Sequence, residues 1–163
     1  MLNNHPAPVI NDISCDTMEH FTLHIHAHLN IFINGEGYSI PSNVGIIPNQ
    51  CIYWLHTHDD TGIIHIESPE NRTFILGEFF DIWGENLSNN QIFDNMAGQG
   101  NNLTVYVNGK QANPGTDFRK IPVNAYDEIV IISCMANHQT LFHQVTNSQR
   151  NYNLSDYQLQ DPL

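Results

Sequence analysis

The sequence predicts a mainly β chain, a β-sandwich or barrel-like sheet with one short helix near residues 76–83. Three observations carry that prediction. From Phe21 to Ile33 the residues Phe21, Leu23, Ile25, Ala27, Leu29, Ile31 and Ile33 alternate with Thr22, His24, His26, His28 and Asn30, the period-two pattern of a strand with one apolar face. Asn34-Gly35 and Asn108-Gly109 each close a β-branched run, where a hairpin turn needs positive φ. Only 13% of residues are Asp, Glu, Lys or Arg, and amide side chains supply much of the remaining polarity, as suits a turn-rich β surface.

The elements follow in order. After Asn34-Gly35 the chain returns through Tyr38-Ser39-Ile40-Pro41. Residues 51–56 and 63–67 read as short strands, with Asp59-Asp60-Thr61-Gly62 as the loop between them. Leu76, Phe79, Phe80 and Trp83 stand at i, i+3, i+4 and i+7 before Gly84, a helical stripe closed by a residue suited to a C-terminal cap. Its aromatic rings are expected to fill the core rather than stack on a substrate. Residues 85–102 are rich in amides and glycine and read as a long loop.

Leu103 to Lys110 then repeats the shape of Asn30 to Glu36, and each is followed by an Ile-Pro pair, Ile40-Pro41 and Ile121-Pro122. This is a weak internal repeat of an Asn-Gly hairpin unit, which hairpin chemistry alone could produce. Asp127 to Ser133 gives the last apolar strand. The expected organisation is an N-terminal extension over 1–12, a single histidine-bearing β domain over 13–134, and a polar extension over 135–163. That last segment could be an assembly tail that makes a homo-oligomer, or a disordered end.

Chemistry concentrates in the first half. Six of the ten histidines fall in two runs, His24-Ile25-His26-Ala27-His28 and His56-Thr57-His58 continuing through Asp59, Asp60 and His65 to Glu67. Imidazole is the commonest protein ligand for transition metals, and residues two apart on a strand share a face. An H-x-H pair has Cα atoms roughly 6–7 Å apart and can converge on one ion, whereas His24 and His28, about 13 Å apart, would converge poorly. The favoured set is therefore His26 with His24 or His28, completed by His56, His58 or His65. Glu67 would ligate or orient a ligand, and the number of donors leaves room for two ions. Any one of these histidines could instead be a surface or hydrogen-bonded core residue, but clustered imidazoles without a ligand would be poorly compensated. His138 and His143 are read as bystanders.

Composition bounds the rest. With 163 residues, 40% of them hydrophobic, the chain suits one compact domain. Seventeen acids against five bases give a formal charge of −12, which argues against nucleic-acid binding and favours cations or basic partners. No stretch approaches the about eighteen apolar residues of a membrane span, and Met1 to Pro6 lacks the basic and apolar parts of a signal peptide. A trimmed chain would read the same way. Of three cysteines, Cys15 and Cys51 precede the two histidine runs, so a bridge between them would pin the runs together and leave Cys134 as a buried thiol. Three reduced thiols, or a cysteine acting as a soft Cu(I) or Zn ligand, are the competing readings. Cys134-Met135 ahead of His138 has the wrong order for a blue-copper loop.

One resemblance stands out. Cys15, Glu19, His24-Ile25-His26-Ala27-His28-Leu29, Cys51-Ile52-Tyr53-Trp54-Leu55-His56-Thr57-His58-Asp59 and Gly62-Ile63-Ile64-His65-Ile66-Glu67-Ser68-Pro69 resemble a family of uncharacterised, histidine-rich bacterial and archaeal proteins. The likeness continues through Phe79-Phe80-Asp81-Ile82-Trp83-Gly84 and Val107-Asn108-Gly109-Lys110, and spans about residues 13–133. It implies that the histidine runs and both cysteines act as one unit. It also implies an extracytoplasmic location, where a Cys15–Cys51 bridge could persist. It implies no reaction.

Three functions remain open at this level. The first and preferred is a Cu or Zn protein for storage, sensing, delivery or structural stabilisation, with His24, His26, His28, His56, His58, His65 and Glu67 as candidate ligands. The second is a metal-dependent enzyme with an open coordination position and Glu67, Asp59 or Asp60 as general base. The third is a structural or assembly subunit whose histidines form hydrogen-bonded networks without an ion.

Overall fold

The computed structural model describes residues 6–98 and 100–135. The segment from residue 136 onward, with His138, His143 and the expected assembly tail, lies outside the described residues, as do residues 1–5. In chain order the strands are β1 (Cys15–Asp16), β2 (Leu23–Ile33), β3 (Glu36–Tyr38), β4 (Ile46–Ile47), β5 (Cys51–Tyr53), β6 (Leu55–His56), β7 (Ile63–Ser68) and β8 (Phe74–Ile75). Helix α1 (Leu76–Trp83) follows, then β9 (Leu87–Ser88), β10 (Gln91–Ile92), β11 (Asn95–Met96), β12 (Asn101–Val107), β13 (Lys110–Gln111), a short 3-10 turn at Phe118–Lys120, β14 (Pro122–Val123) and β15 (Glu128–Met135).

The central sheet has seven strands in the order β13-β12-β15-β2-β7-β6, with β3 pairing β2. It stays open, so the barrel-like version of the expected fold is not the one adopted. All its pairings are antiparallel except β15 with β2, which run parallel with Glu128 opposite His28 and Ile131 opposite Ile31. Three smaller sheets, β1-β5-β4, β11-β10-β9 and β14-β8, complete the structure. Residues 85–102 are thus not one bare loop: β9, β10 and β11 form a tight meander, too short for periodicity to reveal.

Alternation along the central strands divides the sheet into two unlike faces. One face contributes Ala27, Leu29 and Ile31 of β2, Ile64 and Ile66 of β7, Val105 of β12 and Ile129 and Ile131 of β15 to the main core. Leu76, Phe79 and Phe80 of α1 are wholly buried in the same cluster, confirming the aromatic stripe as core filling. The helix starts where Glu78 turns back to accept the Ile75 N–H at 2.9 Å. It stops at Gly84 in the left-handed region, whose N–H donates to Phe80 O. On the other face, Val130, Ile132 and Cys134 form a second, smaller apolar cluster with Phe32 and Tyr106. His24, His26, His56 and His65 lie on that same face.

Both Asn-Gly hairpins form. Asn34 and Gly35 have φ of 53° and 86°, and Asn108 and Gly109 have 51° and 76°, so each turn has positive φ at both central residues. This shared turn chemistry accounts for the internal echo. Gly62 serves a different end: its φ is +88°, and a Cβ there would collide with the Leu29 carbonyl. Its own carbonyl accepts the Leu29 N–H at 2.9 Å, so the bend between β6 and β7 is sewn directly to β2.

Cys15 and Cys51 form a disulfide, and Cys134 is a buried free thiol. The bridge joins β1 to β5, which also pair through Cys15 opposite Tyr53 and Asp16 opposite Ile52. It closes a segment with a sequence separation of 36, for which constraint of the unfolded chain is worth about 4 kcal/mol as an upper figure. The double substitution Cys15→Ser/Cys51→Ser should therefore lower unfolding free energy by about 2–4 kcal/mol in urea titration. The buried Cys134→Ser substitution should leave that bridge-dependent difference intact.

Candidate metal centre

The site is built by strand register. β2 and β7 pair with His24 opposite Glu67 and His26 opposite His65, and β6 adds His56 opposite His65. His26, His65 and His56 therefore stand in one row across three strands on one face, where directly opposed residues have Cβ atoms about 4.5–5.5 Å apart. His65 lies between its neighbours, with ring centroids 4.3 Å from His26 and 5.4 Å from His56. His58 follows just past β6 and returns to the same side, its centroid 4.5 Å from His65. Between His56 and His58, the buried Thr57 hydroxyl donates to Pro41 O at 2.8 Å and accepts the Val44 N–H at 3.0 Å, fixing the turn that aims His58.

Glu67 is the hub. Its Oε1 lies 3.4 Å from His24 Nε2, 3.4 Å from His65 Nδ1 and 3.8 Å from His56 Nε2. The side chain is only 3% exposed, and its backbone N–H donates to Trp54 O at 2.8 Å. Its Oε2 and His65 Nδ1 are buried without a hydrogen-bond partner. Burial works against the charged carboxylate, but the close polar contact with His65 and the fields of His56, His24 and His65 outweigh it and hold its pKa below the usual range. Glu67 is a buried anion facing imidazole nitrogens.

His56 is prepared as a neutral ligand. Its Nδ1 stands 2.9 Å from Tyr53 O, and a carbonyl can only accept, so the proton sits on Nδ1 and the Nε2 lone pair is free. That Nε2 lies 3.2 Å from His58 Nε2. Burial, which outweighs the favourable field of Glu67, pushes the His56 pKa down to about 4. A matching pair lies across the hub, with His24 Nε2 3.2 Å from His26 Nε2. Ligand atoms of His24, His26, His65 and Glu67 fall within 4.8 Å of one another, as do those of His56, His58, His65 and Glu67. These are geometries from which a metal could be held.

His28 stands outside both groups. Its Nδ1 lies 2.9 Å from Glu128 Oε2 and 3.3 Å from Asn30 Nδ2, and its Nε2 lies 2.8 Å from Thr61 O, so contacts at both nitrogens fix the ring. Burial opposes the charged form, but the hydrogen bond and field of Glu128, helped by Thr61, raise its pKa. It ties the Asp59–Gly62 bend to β15. Asp59 is also engaged, with Oδ1 accepting the Thr61 N–H at 3.0 Å and the Thr61 hydroxyl at 2.5 Å. Burial raises the Asp59 pKa, yet these two bonds and the neighbouring His65 and His58 lower it further. Asp60 is exposed, with its backbone carbonyl 3.4 Å from the Ser39 hydroxyl, and its carboxylate belongs to neither ligand group.

Two contacts were not anticipated from the sequence, although Glu19 is among the residues of the resemblance. Glu19 Oε1 stands 3.8 Å from His58 Nε2, both side chains partly exposed, at the mouth of the cluster. Asp16 Oδ2 accepts the Trp54 indole N–H at 2.8 Å and lies 2.7 Å from His20 Nε2, bracing the strand next to the disulfide. The Trp54 bond, more than His20 or Ser14, brings the Asp16 pKa down despite partial burial. Glu19 and Asp16 lie in non-periodic loop or two-residue strand segments, where spacing carries no directional signal. Comparison of the chain with protein-family models, curated proteins and solved structures returns no match.

The buried His56 sets a pH dependence for metal-free protein. Its folded pKa, about 4, lies below the ordinary 6.5, so the unfolded chain takes up the proton first as pH falls. Its contribution is complete above pH 6.5 and is lost progressively toward pH 4, a loss of about 3 kcal/mol. His28 runs in the opposite direction: its raised pKa gives stability that is present below 6.5 and fades as pH rises through the folded value. Comparison with His56→Gln isolates the His56 effect. Urea unfolding of chelator-treated protein at pH 7.5 and 4.5 should show the parent losing about 2.5 kcal/mol more than the variant. Nitrogen-15 shifts should report His56 neutral at pH 5.5.

Proposed function

We propose that this chain is a transition-metal-binding protein that takes up Cu(II) or Zn(II). The observation that carries the reading is the convergence of His24, His26, His56, His58 and His65 on the buried, half-unpartnered Glu67. Nitrogen and carboxylate donors suit both ions. Cys15 and Cys51 are consumed in the disulfide and Cys134 belongs to the other cluster on that face, so no thiolate joins the set and soft Cu(I) is disfavoured. The ligands on β2 and β7 line the face of the sheet opposite the main core, a placement compatible with storage, sensing or delivery. The disulfide is consistent with an oxidising, extracytoplasmic setting, which the family resemblance also supports.

A second reading is favoured by one feature, the open rim. His58 and Glu19 are 45% and 37% exposed, which would let a metal-bound water meet a substrate, with Glu19 or Asp59 nearby to take its proton. Glu67 fits that role poorly because it is enclosed by imidazoles. Azide added to the Cu(II) form should shift the visible spectrum if such a position is open, and leave it unchanged if protein ligands close it.

Elemental analysis of the purified full chain should find copper or zinc in near-stoichiometric amount, and His26→Ala/His65→Ala should weaken Zn2+ affinity by about 100-fold or more. Zn2+ at a hundredfold excess over Kd should add about 2.7 kcal/mol to unfolding free energy. Absence of metal and of any Zn2+ effect on unfolding would leave a hydrogen-bonded assembly subunit as the function.

A further inference from the structure

We propose that the cluster is a two-ion centre, with the Glu67 carboxylate bridging one ion held by His24 and His26 and a second held by His56 and His58. This deepens the metal-binding reading and rests on it. Six residues converge here, whereas a single Zn(II) or Cu(II) ion takes about four protein donors. The surplus is organised. The donors fall into two overlapping groups that share only His65 and Glu67.

Each group brings its own pincer of two imidazoles. His24 and His26 on β2 hold their Nε2 atoms 3.2 Å apart, and His56 and His58 do the same from β6 and its following bend. Glu67 Oε1 faces both pincers, 3.4 Å from His24 Nε2 and 3.8 Å from His56 Nε2. Its second oxygen is buried with no hydrogen-bond partner, which is costly for a carboxylate unless a cation satisfies it. A carboxylate can join two ions through a single oxygen such as Oε1, which faces both pincers, while Oε2 keeps the capacity to bind either ion. His65 occupies the middle, its ring centroid 4.3 Å from His26 and 4.5 Å from His58, where it supplies a further nitrogen. Charge favours the arrangement, since Glu19 flanks His58 and the whole chain carries a formal −12.

The test loads chelator-stripped full-length protein with Zn2+ in calorimetry and with Cu2+ in electron paramagnetic resonance. The expected result is two Zn2+ per chain, falling to one in His24→Ala/His26→Ala. Two bridged Cu2+ ions about 3.5–4 Å apart should give a signal well below that of two isolated ions, restored toward full intensity in Glu67→Gln. Because His56 is wholly buried, the second pincer is tested through the exposed His58: His58→Ala should weaken one Zn2+ at least tenfold and leave the other in place. One Zn2+ per chain, weakened by substitution in either pincer, would overturn the two-ion centre while leaving metal binding intact. Two ions with a full, uncoupled Cu2+ signal would overturn the bridge. No bound Zn2+ or Cu2+ would overturn this inference together with the reading beneath it.

Discussion

The register between β2 and β7 is the constraint on which the rest depends. With His24 opposite Glu67 and His26 opposite His65, Ile25 meets Ile66 and Ala27 meets Ile64 on the reverse side. The same pairing thus writes an apolar core on one face and a polar ligand field on the other. A slip of one residue would exchange them, placing imidazoles among Leu76, Phe79 and Phe80 and isoleucines in water. Core burial therefore enforces the site's geometry: the hydrophobic contacts of Ile64 and Ile66 determine where His65 and Glu67 must point. Stability and ligand placement are two consequences of one alignment.

Within that alignment the histidines divide by partner. His56 is fixed through a carbonyl on its Nδ1, leaving a lone pair inward, while His28 is engaged at both nitrogens and acts as a brace. Two residues of the same type, both buried, have their pKa values moved in opposite directions by what surrounds them. Glu67 receives only imidazole neighbours at its Oε1 and no donor at its Oε2. This is the inverse of His28: a buried polar group left incomplete rather than doubly satisfied, as a position awaiting a cation would be.

Much of this was legible in the residues. The alternation of Phe21–Ile33 located β2 and sorted its two faces, the stripe Leu76-Phe79-Phe80-Trp83 located α1, and both Asn-Gly turns formed hairpins. The two histidine runs do approach one another, His26 opposite His65 and His56 opposite His65, as H-x-H spacing on strands allows, though His28 stands apart. What sequence could not supply was relation across strands. Nothing local announces that His26, His65 and His56 stand in one row, nor that His28, a full alternation step from His26, meets Glu128 a hundred residues later. Glu19 was similarly hidden, because a loop carries no period from which its direction can be inferred. The two-residue strands β9 to β11 were missed for the same reason, being shorter than the pattern that would disclose them.

The parallel pairing of β15 with β2 governs the order in which the molecule can assemble. All the histidines and the glutamate of the cluster lie between residues 24 and 67; β6 and β7 pair across a short bend, and β7 reaches back to β2 across 35 to 45 positions. β15 begins only at Glu128 and must close onto a strand made about a hundred positions earlier, so the inner edge of β2 stays bare until then. During synthesis the ligand-bearing half thus emerges with one long strand edge unprotected, a template for mispairing with another nascent chain. An ion gripping β2 to β7 at that stage would hold the correct register before the last strand arrives.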